Sequence, residues 1–390
     1  MTPSLSRRGA LLAGAAALAG GLAPTAGAQA ARGPAEGAPA KDAPTAGRPT
    51  GGTRPHFAAL SPLQRAGRCV IHSYPGLTPP DSLMDAIAQG HTAGVIFFGE
   101  NIRDLTQIES VVRAMKAAHA SSPVQAPLLL MTDQEGGMVR RLPGEPVMSA
   151  KDVGASADPH RWADFTGEGA GLNLAGVGMN VNLAPVLDVY RKNGDFTDQY
   201  ERSYSKSAAA VASCSSTFIT AQQREGVAAT AKHFPGLGPA TANQNTDLRT
   251  VTIGTSAATL RGVDMAPYRD AIAAGVKLVM LSWAVYTALD SARPAGLSPT
   301  VVGELRNRLG FTGVTVTDAL EAGALAPYGG TSARAVRAAA AGMDLILCSA
   351  RSVAQGDEAV TALSEALGGA IDPAAFEAAA ARVNALRAGL

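Results

Sequence analysis

The sequence predicts an α/β protein whose folded part is a single (β/α)8 TIM-type barrel, preceded by a signal peptide and a disordered linker. Three observations predict it. Eight short apolar runs punctuate the chain from residue 68 onward, each with a polar or glycine-containing end and then an amphipathic stretch. Strands alternating with helices imply βαβ units and a parallel sheet. Eight such units favour a closed barrel over an open doubly wound sheet. The nucleotide signatures of the open sheet, G-x-G-x-x-G after a first strand and G-K-[ST], are absent from the sequence.

The first thirty residues read as a targeting segment. Arg7 and Arg8 precede an apolar run from Ala10 to Ala23, and Ala28-Gln29-Ala30 resembles a small-residue cleavage site. The run is shorter than the roughly 20 apolar residues a membrane span needs. Its arginine pair predicts a twin-arginine-type signal over residues 1–30 and export to the cell wall or medium. No cysteine follows the cleavage site, so no stable membrane anchor is expected after signal removal. Residues 31–54 contain no Val, Ile, Leu or aromatic side chain. They bury too little to offset ordering and are expected to be a disordered linker, with the barrel filling residues 55–390.

The apolar runs are Arg68–Ser73, Gly94–Phe98, Pro127–Thr132, Met179–Leu183, Val227–Lys232, Lys277–Ser282, Gly313–Thr317 and Met343–Cys348. Helical periodicity is clear over Leu105–Ala120 and Ser332–Ala341. With 390 residues, 46% hydrophobic and 17% charged, the chain is able to bury a large core. Its net charge of +1 gives no reason to expect nucleic acid or an anionic membrane as partner. The three cysteines, Cys69, Cys214 and Cys348, have the spacing of neither a metal site nor a disulfide framework. Cys69 and Cys348 fall on the first and last strands, which are neighbours in a closed barrel, but disulfide geometry is demanding and no bridge is expected.

Barrel enzymes carry their chemistry where strands end, on the C-terminal face. The third run ends in Asp133, and the fourth leads into Pro185-Val186-Leu187-Asp188-Val189. The fifth ends in Lys232-His233-Phe234-Pro235-Gly236 and the seventh in Asp318. Asp133 and Asp318 also suit helix caps. The whole set, with its Lys-His pair, describes a ring able to grip a polyhydroxylated ligand. The H-E-x-x-H and G-x-S-x-G signatures do not occur in the sequence, and neither a metal nor a cofactor is expected.

D-Q-E-G-G-x-V-x-R from Asp133, A-P-V-x-D-V, E-R-S-Y-S, K-H-F-P-G and V-T-D-A-L occur in that order. Together they resemble the barrel of glycoside hydrolase family 3, in its bacterial β-N-acetylglucosaminidase branch. The resemblance implies that Asp318 is a carboxylate nucleophile forming a covalent glycosyl-enzyme, with retention of configuration. It implies that Asp133, Arg141, Arg202, Lys232 and His233 bind the sugar, and that Glu135 and Arg140 support them. The implied substrate is an N-acetylglucosamine-containing glycan of peptidoglycan or chitin, bound by a monomeric protein.

The sequence departs from that branch after K-H-F-P-G, where the branch carries H-G and then D-S-H, whose histidine is the general acid/base. Here the loop runs from Leu237 to Asp247, and no histidine follows His233. General acid help is worth about 10²–10⁴-fold, so its source matters. Asp247 is the one acid in this loop and a candidate acid/base, although Asn245-Thr246-Asp247 also suits a capped turn. Glu201 or His72 are candidates from elsewhere, His72 being also a natural structural histidine. Competing with the enzyme are a glycan-binding barrel with little or no turnover, a glycosidase of different specificity, and a phosphorolytic relative.

Overall fold

A computed structural model describes residues 60–390; the signal peptide and linker expected over residues 1–54 lie outside the described residues. Eight parallel strands form the centre: β1 (Val70–His72), β2 (Gly94–Ile96), β3 (Leu129–Thr132), β4 (Val181–Asn182), β5 (Ala228–Phe234), β6 (Leu278–Leu281), β7 (Val314–Thr317) and β8 (Ile346–Leu347). Each lies in one of the apolar runs, and β5 extends two residues past its run, to Phe234. The ladder runs β7-β6-β5-β4-β3-β2-β1-β8. A parallel bridge between Val316 and Leu345 joins its two ends. At that seam the Thr317 N–H donates to the Leu345 carbonyl at 3.0 Å and the Leu347 N–H to Thr317 Oγ1 at 2.9 Å.

A helix follows each strand, as the alternation predicts: Asp81–Ala88, Leu105–His119, Pro159–Gly176, Ala208–Arg224, Ala266–Ala273, Pro299–Gly303, Thr331–Ala340 and Val353–Ala366. The helix Leu105–His119 shows why. Asp104 caps it by accepting from the Gln107 N–H at 2.7 Å. Its buried residues Ile108, Val112 and Met115 recur at helical spacing and pack against the barrel wall. A final helix, Pro373–Ala388, closes the end of the barrel where the strands begin. Val383 joins the barrel cluster of Ile71, Leu129, Leu278 and Val314. Arg387, fully buried, donates from Nε to the Pro127 carbonyl at 2.6 Å and from Nη2 to that of Ala126 at 2.5 Å. That leaves the ends of the strands as the open mouth.

All three cysteines are free and buried. Among the described residues no helix is long and apolar enough to cross a membrane.

Strand spacing sets a strict size limit at Gly94. A Cβ there would stand 1.9 Å from the Leu129 carbonyl oxygen, so β2 and β3 would have to separate. Gly94→Ala is expected to destabilise the fold by about 1–3 kcal/mol, as overpacking does. Urea unfolding checks this, and an unchanged midpoint would contradict the packing described.

Candidate active site

A cavity of about 380 Å³ opens at the strand ends, lined by Asp133, Arg141, Lys232, His233, Asp247 and Asp318, with Phe98, Glu321, Ser349 and Arg351 at its sides. Larger hollows, of about 670, 590 and 400 Å³, lie away from the strand ends: the first two between helices on the outside of the ring, the third beside the helix Pro373–Ala388 at the opposite end of the barrel.

The floor is an ion network. Lys232 lies two residues before the end of β5 with only 2% of its surface exposed, and its Nζ lies 2.8 Å from Asp133 Oδ1 and 2.7 Å from Glu135 Oε1. Arg202 grips Glu135 with both prongs, Nε to Oε2 at 2.8 Å and Nη2 to Oε1 at 2.7 Å. Two cations thus face two carboxylates. Burial disfavours charge on each, but the partners outweigh it. Asp133 and Glu135 are held below the usual carboxylate range by Lys232 with Arg141 or Arg202, while Lys232 and Arg202 are raised. Lys232 has three protons and two protein acceptors, which leaves one for a ligand hydroxyl. Among the described residues, Asp133 Oδ2 is paired only with the Arg141 guanidinium, at 3.8 Å.

His233 is set by two neighbours. Its Nδ1 lies 2.8 Å from Asp188 Oδ2, and Asp188 Oδ1 accepts from the Leu237 N–H at 2.7 Å. Its Nε2 stands 3.4 Å from Arg202 Nη2. A guanidinium only donates, so the ring proton belongs on Nδ1 and Nε2 is an acceptor. This arrangement fixes the His233 ring at the cavity wall and keeps its proton on the side of Asp188, away from the cavity.

Asp318 follows β7 directly. Its Oδ1 accepts from the Ala319 N–H at 2.8 Å, and the Trp283 indole fixes the same turn by donating to the Ala319 carbonyl at 2.8 Å. Asp247 reaches the cavity on a loop docked against the segment after Asp318. Gly323 N–H donates to the Asp247 carbonyl at 2.8 Å, and Ala324 N–H to that of Thr246 at 3.0 Å. A Cβ on Gly323 would stand 2.4 Å from the Leu248 carbonyl oxygen, so glycine permits this approach. Asp247 is exposed as a residue, while its carboxyl lines the cavity beside Asp318. Desolvation at the cavity wall first, and then the negative charge of Asp318, push that carboxyl above the usual range.

Residues 72–386 match the model of the glycosyl hydrolase family 3 N-terminal domain. The chain belongs to glycosyl hydrolase family 3. It is a glycoside hydrolase, as the motifs of the strand ends imply. An uncharacterized secreted glycosyl hydrolase from the fungus Arthroderma benhamiae is 43% identical over 84% of this chain and 93% of its own length. A β-hexosaminidase from Stenotrophomonas maltophilia is 31% identical over 67% of this chain and 78% of its own. Among solved structures, a family 3 β-N-acetylglucosaminidase from a Paenibacillus species is 34% identical with a TM-score of 0.79, covering 85% of this chain. This chain spans 63% of that longer one.

Within this family 3 barrel, the residues expected at the site fall into two groups. Asp133, Arg141, Lys232, His233, Asp247 and Asp318 all line the cavity. Arg202 is not among the lining residues; it reaches the site through Glu135 and His233. Arg140 donates to the Gly144 carbonyl at 2.6 Å, away from the cavity. Of the other proposed donors, His72 is buried between Thr92 Oγ1 at 2.9 Å and Asp357 Oδ1 at 3.4 Å, and Glu201 is exposed; neither lines the cavity. Sequence reasoning placed Asp188 among the strand-end residues but gave it no role, and it missed Phe98, Glu321 and Arg351, though all follow strands.

Beneath the Pro235-Gly236 turn lies one more carboxyl, Asp264. It is fully buried, receives Arg191 Nη2 on Oδ2 at 2.6 Å, and has no partner on Oδ1. Burial outweighs Arg191 and pushes it up to about 7. A carboxyl raised in the folded state contributes stability that is complete below its unfolded value, near 3.9, and is lost as pH rises through the folded value. Wild-type melting temperature is therefore expected to fall between pH 5 and 8. In Asp264→Asn, which still accepts from Arg191, that fall should shrink; an equally steep fall in thermal melts would assign it to other groups.

Proposed function

We propose that this family 3 hydrolase is an exported, retaining glycosidase acting on β-N-acetylglucosaminides of the peptidoglycan or chitin class. Asp318 is its nucleophile and Asp247 its acid/base. One observation carries the reading: a carboxyl pushed above its usual range lines the same cavity as Asp318, facing a charge-paired sugar-binding floor.

In the first step an Asp318 oxygen bonds to the anomeric carbon, and the glycosidic oxygen leaves with the proton of Asp247. In the second, Asp247 takes a proton from water as the water oxygen displaces Asp318, so configuration is retained. Asp133 accepts from sugar hydroxyls, Lys232 and Arg141 donate to them, and His233, held by Asp188 and Arg202, walls the ring over Asp318. The acetamido preference rests on the relatives named β-hexosaminidase and β-N-acetylglucosaminidase. Export through the twin-arginine route rests on Arg7-Arg8 and the apolar run behind them, and a relative named as secreted is consistent with it.

A dinitrophenyl β-N-acetylglucosaminide departs without protonation, so it separates the two carboxyls. Asp318→Asn should lower turnover of this substrate by about 10³-fold or more. Activity near wild type would reject Asp318 as nucleophile. No turnover by either protein, with glycan binding intact, would favour the binding-barrel reading that the missing histidine raises.

Asp247→Asn should lower kcat/KM for a natural disaccharide by about 10²–10⁴-fold, but that for the dinitrophenyl glycoside far less. An acid must hold its proton, so the wild-type disaccharide profile should fall as pH rises through the raised value of Asp247. That limb should be missing from the variant; equal losses on both substrates would reject the role.

A further inference from the structure

Across the barrel from Lys232, the β8–β1–β2 side of the mouth carries a cation that the reaction above does not use. Arg351 lies just beyond β8. Its backbone sits at φ 55°, a left-handed conformation uncommon for arginine, and its N–H donates to Ser73 Oγ at 2.9 Å. The guanidinium lies over the Phe98 ring, 4.5 Å from its centre. Both residues line the cavity that holds Asp318.

Arg202 and Lys232 are neutralised at short range, but Arg351 is not. Its nearest acid is Glu100, 3.5 Å from Nε, in a pair with 51% and 44% of the side chains exposed. That distance exceeds a normal hydrogen bond, and exposed pairs of this kind hold little energy. Among the described residues its guanidinium makes no hydrogen bond with a carboxylate. The stacked ring fixes the guanidinium plane and leaves its edge open, the geometry that grips a carboxylate with two parallel bonds. The neighbouring acid, Glu321, is already occupied, accepting from Ser349 Oγ at 2.8 Å and Gln355 Nε2 at 3.2 Å. Asp318 and Glu321 repel an acidic glycan, and a cation at this rim offsets that repulsion.

The geometry points to Arg351, stacked on Phe98, as a specificity-determining residue that binds a carboxylate carried by the substrate glycan. The inference rests on the glycosidase reading of the same cavity. It makes a carboxylate-bearing sugar next to the cleaved bond the preferred substrate over a neutral one.

The test uses two β-linked disaccharides of N-acetylglucosamine, alike except that the neighbouring sugar carries a free carboxylate in one and its methyl ester in the other. The wild-type protein should prefer the acid in kcat/KM by about tenfold or more, the scale of one charge-assisted hydrogen bond. Arg351→Asn, a residue that accepts the left-handed backbone, should bring the acid-to-ester ratio close to one. Arg351→Lys should retain part of it. A wild-type protein without preference, or a preference that survives in Arg351→Asn, overturns the inference. If neither disaccharide is cleaved, the glycosidase reading fails by itself. Calorimetric titration then reads the same acid-to-ester ratio as affinities, and equal affinities, or none, overturn the assignment of Arg351.

Discussion

An ammonium group buried as deeply as Lys232 costs several kcal/mol to take out of water unless it is paired on all sides. Here Asp133, just past β3, and Glu135 beyond it supply that pairing, while Arg202 after β4 holds Glu135 from its other side. The four charges cancel. Removing any one leaves an uncompensated charge in a closed site, a loss of about 3–5 kcal/mol in comparable cases. The floor of the cavity is therefore a unit, not a collection of separate contacts. His233 depends on it as well, because Arg202 fixes the role of its Nε2 while Asp188 holds Nδ1.

The same constraint explains what the sequence did and did not disclose. Strand runs such as Lys277–Ser282 and Gly313–Thr317 were legible because each is a short apolar segment ahead of helical periodicity, and β6 and β7 lie within them. The floor residues were legible as strand-end charges. Their order in depth was not. Arg202 was expected to bind sugar directly; that Glu135 takes two of its nitrogens is a pairing between residues 67 apart in the chain that spacing alone does not reveal. Asp188 stood inside a recognisable motif, yet its role appears only when β5 brings His233 against it. Arg351 had no local signal at all, since its meaning comes from Phe98 across the β8–β1–β2 arc.

In the proposed mechanism, the loop after β5 alters the proton chemistry of the barrel without altering its floor. Asn245-Thr246-Asp247 reads from sequence as a turn, and its Asp247 N–H does bond Asn245 Oδ1 at 2.8 Å. The turn also docks on Gly323 and Ala324, just after the Asp318 segment, which places one carboxyl near another. A capped turn and the proposed proton-donor role of Asp247 are therefore compatible. Backbone bonds hold the loop, and the side chain is left to titrate under the influence of Asp318.

The central claim is a covalent bond between sugar and Asp318. The direct measurement is mass spectrometry of the intact protein, then of its peptides, after reaction with a slow fluorinated N-acetylglucosaminyl fluoride. The account predicts one added glycosyl mass per chain, carried by the peptide containing Asp318 and absent from Asp318→Asn. A protein that turns over substrate without any such adduct, or with the adduct on another carboxylate, would contradict it.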